Sequence, residues 1–412
     1  MRREWTMIGV SVALFAACFL NYRPWRGYSS DRKVEIIAEP IRIAHNLLVE
    51  GEFRDPFGAL PTGRTAHIAP GLPFLQFLVL KTLGDGARGW LALQTLPVLA
   101  LSLGLALLPW AARWIGLSAW AGVLAAIFGL LTKPGAEPQW EAHLAGLLSL
   151  LLFVSVYRFE THRPSTLFAL ATGVLAGVIF LLQPVVALPY LCWIALLMRR
   201  RDIRGRVAML IAMPLAISIP WSVRNYRELG TPGMRDNLGL ELYVSFNDCA
   251  SYSFEENLKH RCHETFHPNS SIREAEQVRA LGEYNYNRER FHIALNWIRS
   301  HAEAAGTLIA QRFWFFWFPS TEGFDGYRRQ RARWLYLHAF TLASLVGIYL
   351  IWKQRLPCAP YFSIFLATFP LIYYLHESAP RYRYPILWIT LLLAAHAILT
   401  LCSHAFRARQ SR

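Results

Sequence analysis

Apolar residues in this chain run in long unbroken blocks, such as 141–157, 165–182 and 384–404, rather than in short stripes at helical spacing. Blocks of that length match the ~20 residues that a helix needs to cross a bilayer. The pattern predicts an all-α polytopic membrane protein with about ten transmembrane helices. They are expected at 6–22, 90–110, 117–132, 141–157, 165–182, 184–199, 207–222, 334–352, 359–376 and 385–403. The apolar stretch 67–83 is different: it starts with Pro70 and Pro73 and ends with Lys81. It reads as an outer-leaflet or re-entrant helix. The segment 307–318, dense in Trp and Phe with Arg312 inside it, reads as an interfacial helix.

Two polar regions interrupt the spans and divide the chain. Residues 1–222 form an N-terminal transmembrane module with a first external loop at 23–89, residues 223–333 an external insertion, and residues 334–412 the C-terminal transmembrane helices. In the first loop Asp31, Glu35 and Glu39 are spaced four apart and lead into Ile41, Ile43, Ala44, Leu47 and Leu48. This predicts an amphipathic helix with acids on one face, with a kink or a helix start near Glu39 because of Pro40. The Pro/Gly-rich stretch 54–73 then returns to the membrane as a loop. In the insertion, Ser271 and Glu274 form a capping box that opens a helix to about residue 304, broken or bent near Gly282.

Composition agrees with the patterning. Of 412 residues, 54% are hydrophobic and only 17% charged, with positive mean hydropathy, which excludes an ordinary soluble globule. The formal charge of +15 would by itself suggest nucleic acid. Its placement argues otherwise: Arg199, Arg200, Arg201, Arg204 and Arg206 sit between two apolar blocks, as in a cytoplasmic loop. Arg2, Arg3, Arg158, Arg163, Lys353, Arg355, Arg407, Arg409 and Arg412 follow the same rule, so both termini are placed inside and no nucleic-acid partner is expected. The basic, apolar start is shared with signal peptides, but no cleavage signature follows, and it is kept as the first span. Cys18, Cys192, Cys358 and Cys402 lie in or beside spans. Cys249 and Cys262 share the insertion, and a disulfide between them implies an oxidising compartment. His260, His263 and His267 flank Cys262, but their spacing matches no common zinc pattern, so no metal site is assigned.

Read together, the residues resemble the GT-C superfamily of polytopic glycosyltransferases, most closely its bacterial Rgt-type and protein-mannosyltransferase-like members. The resemblance is carried by Glu39, Arg42, Ile43, Ala44, Leu47, Gly51, Phe53, Pro56 and Phe57, then by Thr62, Gly63, Thr65 and Ala66. Weaker matches follow in order at 220–230, 236–248, 278–290 and 381–385. In contrast to many members, which pair Asp and Glu side by side in the first loop, this chain separates Asp31 from Glu39.

The resemblance implies an inverting transfer of a sugar from a polyprenyl-phosphate donor to an envelope acceptor on the outer face of a bacterial inner membrane. Such chemistry needs a carboxylate to take the acceptor's proton and cations to stabilise the departing phosphate. Glu39 is the first candidate base, with Asp31 and Glu35 next. Arg224, Arg227, Arg312, Arg381 and Arg383 are candidates for the phosphate, since arginine grips its oxygens with two parallel bonds. Glu141, with His143 beside it, stands where the superfamily carries a second acid at the start of the fourth span. No cofactor is assigned; a divalent cation bridging acids and diphosphate stays open, because carboxylates far apart in sequence do not define a metal site. Membrane lipids are the other expected partners, and the acceptor is not specified. Two alternatives remain: a lipid or glycan transporter or flippase, and a non-catalytic membrane subunit.

Overall fold

The computed structural model describes residues 2–320 and 328–410; Arg412, among the expected inside charges, lies outside them. Every regular element in the described residues is a helix. Among the described residues six helices are long and apolar enough to cross a membrane: Glu4–Tyr22, Ala87–Trp114, Ala142–Thr161, Arg201–Leu229, Ala332–Lys353 and Pro380–Phe406. The other four expected spans are shorter apolar helices, Ala119–Thr132, Thr166–Leu182, Pro184–Leu197 and Ala359–Leu375. The stretch expected not to cross forms a 13-residue helix, Gly71–Leu83. At ~1.5 Å per residue it is about 20 Å long, short of a ~30 Å hydrocarbon core.

Lipid offers no hydrophobic force between helices, so close packing holds the bundle together. Gly173 and Gly177 show how: a Cβ at either would stand 2.7 Å from Met213 or Ile217 on the helix Arg204–Leu229. At the other end of the chain Gly347 lies against the Leu393 carbonyl in the same way. Between these pairs a buried aromatic cluster joins four helices, with Phe153 5.4 Å from Trp193, 4.6 Å from Phe362 and 5.2 Å from Trp388.

The insertion is helical, and its punctuation follows local chemistry. Gly230, at φ +81°, ends the long helix Arg204–Leu229. Ser271 accepts from the Glu274 amide and caps Ile272–Leu281; Gly282, at φ +76°, then turns the chain into Glu283–Ser300. A further break at His301 precedes Ala302–Trp317, whose Trp314 is exposed and whose Phe315 and Phe316 are buried. Cys249 and Cys262 are disulfide-bonded.

The first loop differs from the expected helix. Asp31 and Glu35 lie in a non-helical segment, and the helix is Glu39–Val49, with Ala38 extended before it. Pro40 has no N–H to give the Ile36 carbonyl, which a helix continued upstream would require. Arg42 Nη2 reaches that carbonyl instead, at 3.4 Å, and Val34 donates to the Asp85 carbonyl at 2.9 Å. The three acids therefore do not share a face: Asp31 and Glu35 are exposed, and Glu39 is buried.

Candidate functional site

Between the insertion and the ends of the membrane helices lies a cavity of about 380 Å³. Glu39 lines it as the first residue of its helix. A carboxylate there is favoured by the positive end of the helix dipole. Burial nevertheless pushes the Glu39 carboxyl above its ordinary range, opposed by a backbone amide, Arg381, Arg42 and Asn269. A carboxyl whose proton affinity is raised in this way is a stronger base than an exposed one. Asn269 Nδ2 donates directly to Glu39 Oε1.

Three more glutamates line the cavity: Glu141, Glu241 and Glu377. Burial lifts Glu241 to about 7, against the pull of Arg235. Glu377 accepts from Asn257 Nδ2 at 2.5 Å, and His263 Nε2 lies 2.9 Å away. Burial works against both charges of that pair, yet each raises the other's ionisation: Glu377 is held below the usual carboxylate range and His263 above the usual imidazole value. His267 stacks on His263 at 5.2 Å and stays neutral, its affinity for a proton lowered by burial and by His263. Burial also brings His67 and His376 down to about 3. Among the described residues no three metal-ligating side chains are grouped as a metal site requires.

Arg381 links this cavity to a second one of about 250 Å³ and lines both. Its guanidinium lies 4.1 Å from the Trp140 ring centre and 5.3 Å from that of Phe254, and its Nη2 reaches the Tyr382 hydroxyl at 3.3 Å. Its buried Nε has no hydrogen-bond partner among the described residues. The second cavity is lined on its polar side by Lys133, Arg333 and Arg383 with Glu137 and Glu255, and on its apolar side by Phe316, Trp334, Leu337 and Leu387. Basic groups thus outnumber acids there, whereas acids outnumber arginines around Glu39.

Of the residues expected at the site, the structure brings Glu39, Glu141 and Arg381 to the first cavity, and Arg383 and His143 to the second. Arg383 also holds helices together, donating to the Trp317 carbonyl and to Thr341 Oγ1, both at 2.7 Å. His143 is 2.5 Å from the Gly135 carbonyl and stacks on Tyr384 at 5.0 Å. The remainder are elsewhere. Asp31 and Glu35 are in the exposed segment already described. Arg312 is fully buried within the insertion, where Nη2 donates to the Ser245 carbonyl at 2.5 Å and burial lowers its affinity for a proton to about 10. Arg224 donates to the Thr65 and Phe53 carbonyls at 2.6 and 3.2 Å and pairs with Glu228 at 2.8 Å, so it fastens the first loop. Arg227, three residues on along the helix, is exposed.

Arg235, Glu241, Asn269 and Glu377 were not singled out from the sequence. Arg235 immediately precedes the 236–248 stretch of the resemblance and Glu241 lies within it, which was a usable signal. Asn269 and Glu377 carry no local pattern at all, since each matters only through a partner far away in the chain.

No family profile matches the chain, and no curated protein matches it. Solved structures do. Archaeal oligosaccharyltransferase AglB from Archaeoglobus fulgidus, solved with an inhibitory peptide and a dolichol-phosphate, matches with a TM-score of 0.52 at 13% identity. The match covers 99% of this chain and 52% of that one. The Archaeoglobus fulgidus oligosaccharyltransferase tethered with an acceptor peptide matches with a TM-score of 0.54 at 14% identity, over 98% of this chain and 51% of that one. ArnT from Cupriavidus metallidurans bound to undecaprenyl phosphate gives a TM-score of 0.38 at 15% identity, over 100% of this chain and 80% of that one. The chain thus spans about half the length of the oligosaccharyltransferase chains. At these identities the likeness is one of architecture: this integral membrane protein shares the fold of the Archaeoglobus fulgidus oligosaccharyltransferase over nearly its whole length.

Proposed function

We propose that the chain is an inverting glycosyltransferase that moves a sugar from a polyprenyl-phosphate-linked donor to an envelope acceptor. The observation that carries this reading is a buried carboxyl, Glu39, lining the same cavity as Arg381, at the boundary with a second, basic cavity. Glu39 takes the proton of the acceptor's nucleophilic group as that group attacks the anomeric carbon. The bond from that carbon to the phosphate oxygen breaks, and its electron pair leaves with the phosphate. Arg381 meets the developing charge, with Arg383, Lys133 and Arg333 lining the space behind it. The apolar wall of Phe316, Trp334, Leu337 and Leu387 suits the first isoprene units of the carrier. Arg235, on the Glu39 side, is placed to orient the sugar or acceptor.

The donor class is supported by the dolichol-phosphate carried by AglB, the archaeal enzyme of the same fold. The disulfide in the insertion supports a site that faces an oxidising compartment, which for a bacterial inner membrane is the periplasm. The test is sugar transfer from radiolabelled polyprenyl-phosphate donors by membranes holding equal amounts of wild type or Glu39→Gln. Transfer by wild type that Glu39→Gln loses is the expected result. Equal transfer by both would remove Glu39 as base, and no transfer with any donor would return the chain to the transporter or subunit readings.

A further inference from the structure

Asn269 belongs to the insertion and lies 230 residues from Glu39 in sequence, yet the two side chains touch. It sits in the turn between the helices Cys262–Phe266 and Ile272–Leu281. Three bonds fix it. Its own amide donates to His267 Nδ1 at 3.0 Å, its Oδ1 accepts from the Gly58 amide at 2.8 Å, and its Nδ2 donates to Glu39 Oε1. A backbone N–H can only donate, so Gly58 determines which end of the carboxamide faces it, and the NH₂ end is left for Glu39. Gly58 allows the approach: a Cβ there would be 3.2 Å from the Asn269 carbonyl and 3.3 Å from Arg42 Nη2.

We propose that Asn269 is a positioning residue for Glu39, a donor supplied by the insertion that holds this carboxylate in place at the cavity and in its ionised form. The role rests on Glu39 being the general base. It makes the insertion part of the catalytic apparatus, because the base is complete only when the turn at 267–271 is docked on the first loop.

Other charged groups also act on Glu39. Arg42 comes from its own helix and Arg381 from the start of the last span, and both favour its charged form. Glu241, on the helix Leu238–Ser245, and His263, on Cys262–Phe266, interact with Glu39 and titrate themselves. Glu141, Glu377, Arg235, His67, His267 and His376, with the phenols of Tyr373 and Tyr382, complete the ionisable lining on the Glu39 side. The acid limb of the rate profile is therefore composite, and the informative quantity is its displacement between variants. Removing a donor to a carboxylate makes the carboxylate harder to form, so the limb must move to higher pH.

The experiment is kcat/KM for sugar transfer against pH by the full chain in membranes, for wild type, Asn269→Ala, Asn269→Asp and Glu39→Gln, with a thermal midpoint for each. Asn269→Asp keeps an acceptor for Gly58 but replaces the donor with a like charge; Asn269→Ala removes both bonds. We expect the acid limb to rise by about one pH unit in Asn269→Ala and by more in Asn269→Asp, with transfer recovering at alkaline pH. A loss equal at every pH, or one that follows the thermal midpoint, would overturn the role of Asn269 while leaving Glu39 as base. Full transfer by Glu39→Gln would overturn the assignment of Glu39 and the role of Asn269 with it. The two Asn269 variants are read together, so misfolding of one leaves the other decisive.

Discussion

Two regions outside the membrane helices each bury a glutamate whose proton affinity is raised by burial, and they use it differently. Glu39 lines an open cavity, is held by one carboxamide and lies within range of Arg381 and Arg42. Glu283 lines neither cavity described above. Its carboxylate accepts from Thr65 Oγ1 and, at 2.6 Å, from the Ala66 amide, and burial raises it to about 8. The residues it grips belong to the Thr62–Ala66 stretch of the first loop, whose carbonyls are in turn held by Arg224 and by the Asp236 amide. Glu283 is thus a clamp between loop and insertion. A raised proton affinity marks both residues, so it does not by itself identify a catalytic group; access to open space beside a cation does.

The comparison can be broken most sharply at Glu39. Glu39→Gln should lower transfer by roughly 10²–10⁴-fold while leaving the thermal midpoint close to wild type, measured on matched membranes and on detergent-solubilised protein. A midpoint falling in step with activity would make Glu39 a second clamp. Next in size is Arg381→Ala, expected to cost about 10²–10³-fold in kcat, since it removes a preorganised cation from the departing phosphate. An unchanged kcat with a raised KM would reduce Arg381 to a binding group.

The insertion side is tested through stability. Cys249→Ser with Cys262→Ser should cost about 2–4 kcal/mol in denaturation of the purified protein. The bridge precedes His263 by one residue, so the His263–Glu377 pair is expected to loosen with it, and transfer should fall alongside stability. The smallest effect is that of Glu283→Ala, about 1–3 kcal/mol, from leaving Thr65 and the Ala66 amide unpaired. Its pH signature is distinctive. Because folding raises the proton affinity of Glu283, the folded chain binds more protons than the unfolded one from about pH 4.3, the unfolded value, to about pH 8. Stability from this group is therefore fully present below that window and is lost as pH rises through it. Thermal midpoints across the window should slope downward in wild type and less so in Glu283→Gln; equal slopes would show that Glu283 is not the group responsible.

The bilayer explains why so much of the architecture was legible. A span must be continuous, apolar and helical, so ten apolar blocks announced ten helical segments, though Arg204–Leu229 and Tyr384–Gln410 run seven residues past the expected ends. Local chemistry was equally readable: Ser271 caps a helix and Gly282 breaks one. Periodicity failed in the first loop, where spacing of four put Asp31, Glu35 and Glu39 on one face. A single missing N–H at Pro40 and a tertiary bond from Val34 to Asp85 kept the upstream segment out of the helix.

Sequence alone thus determined the apolar helical segments and the helices between them, and it put Glu39 at a helix start, because each follows from short-range rules of hydropathy, capping and helix start. Tertiary structure decided which charges stand around that acid. Arg381, Arg235, Glu377 and Asn269 come from positions scattered over the chain, and Arg224 and Arg312, equally basic on paper, are drawn to backbone carbonyls elsewhere. Electrostatic roles fall off over a few ångströms, and no spacing along the chain encodes a distance of that kind between residues hundreds of positions apart.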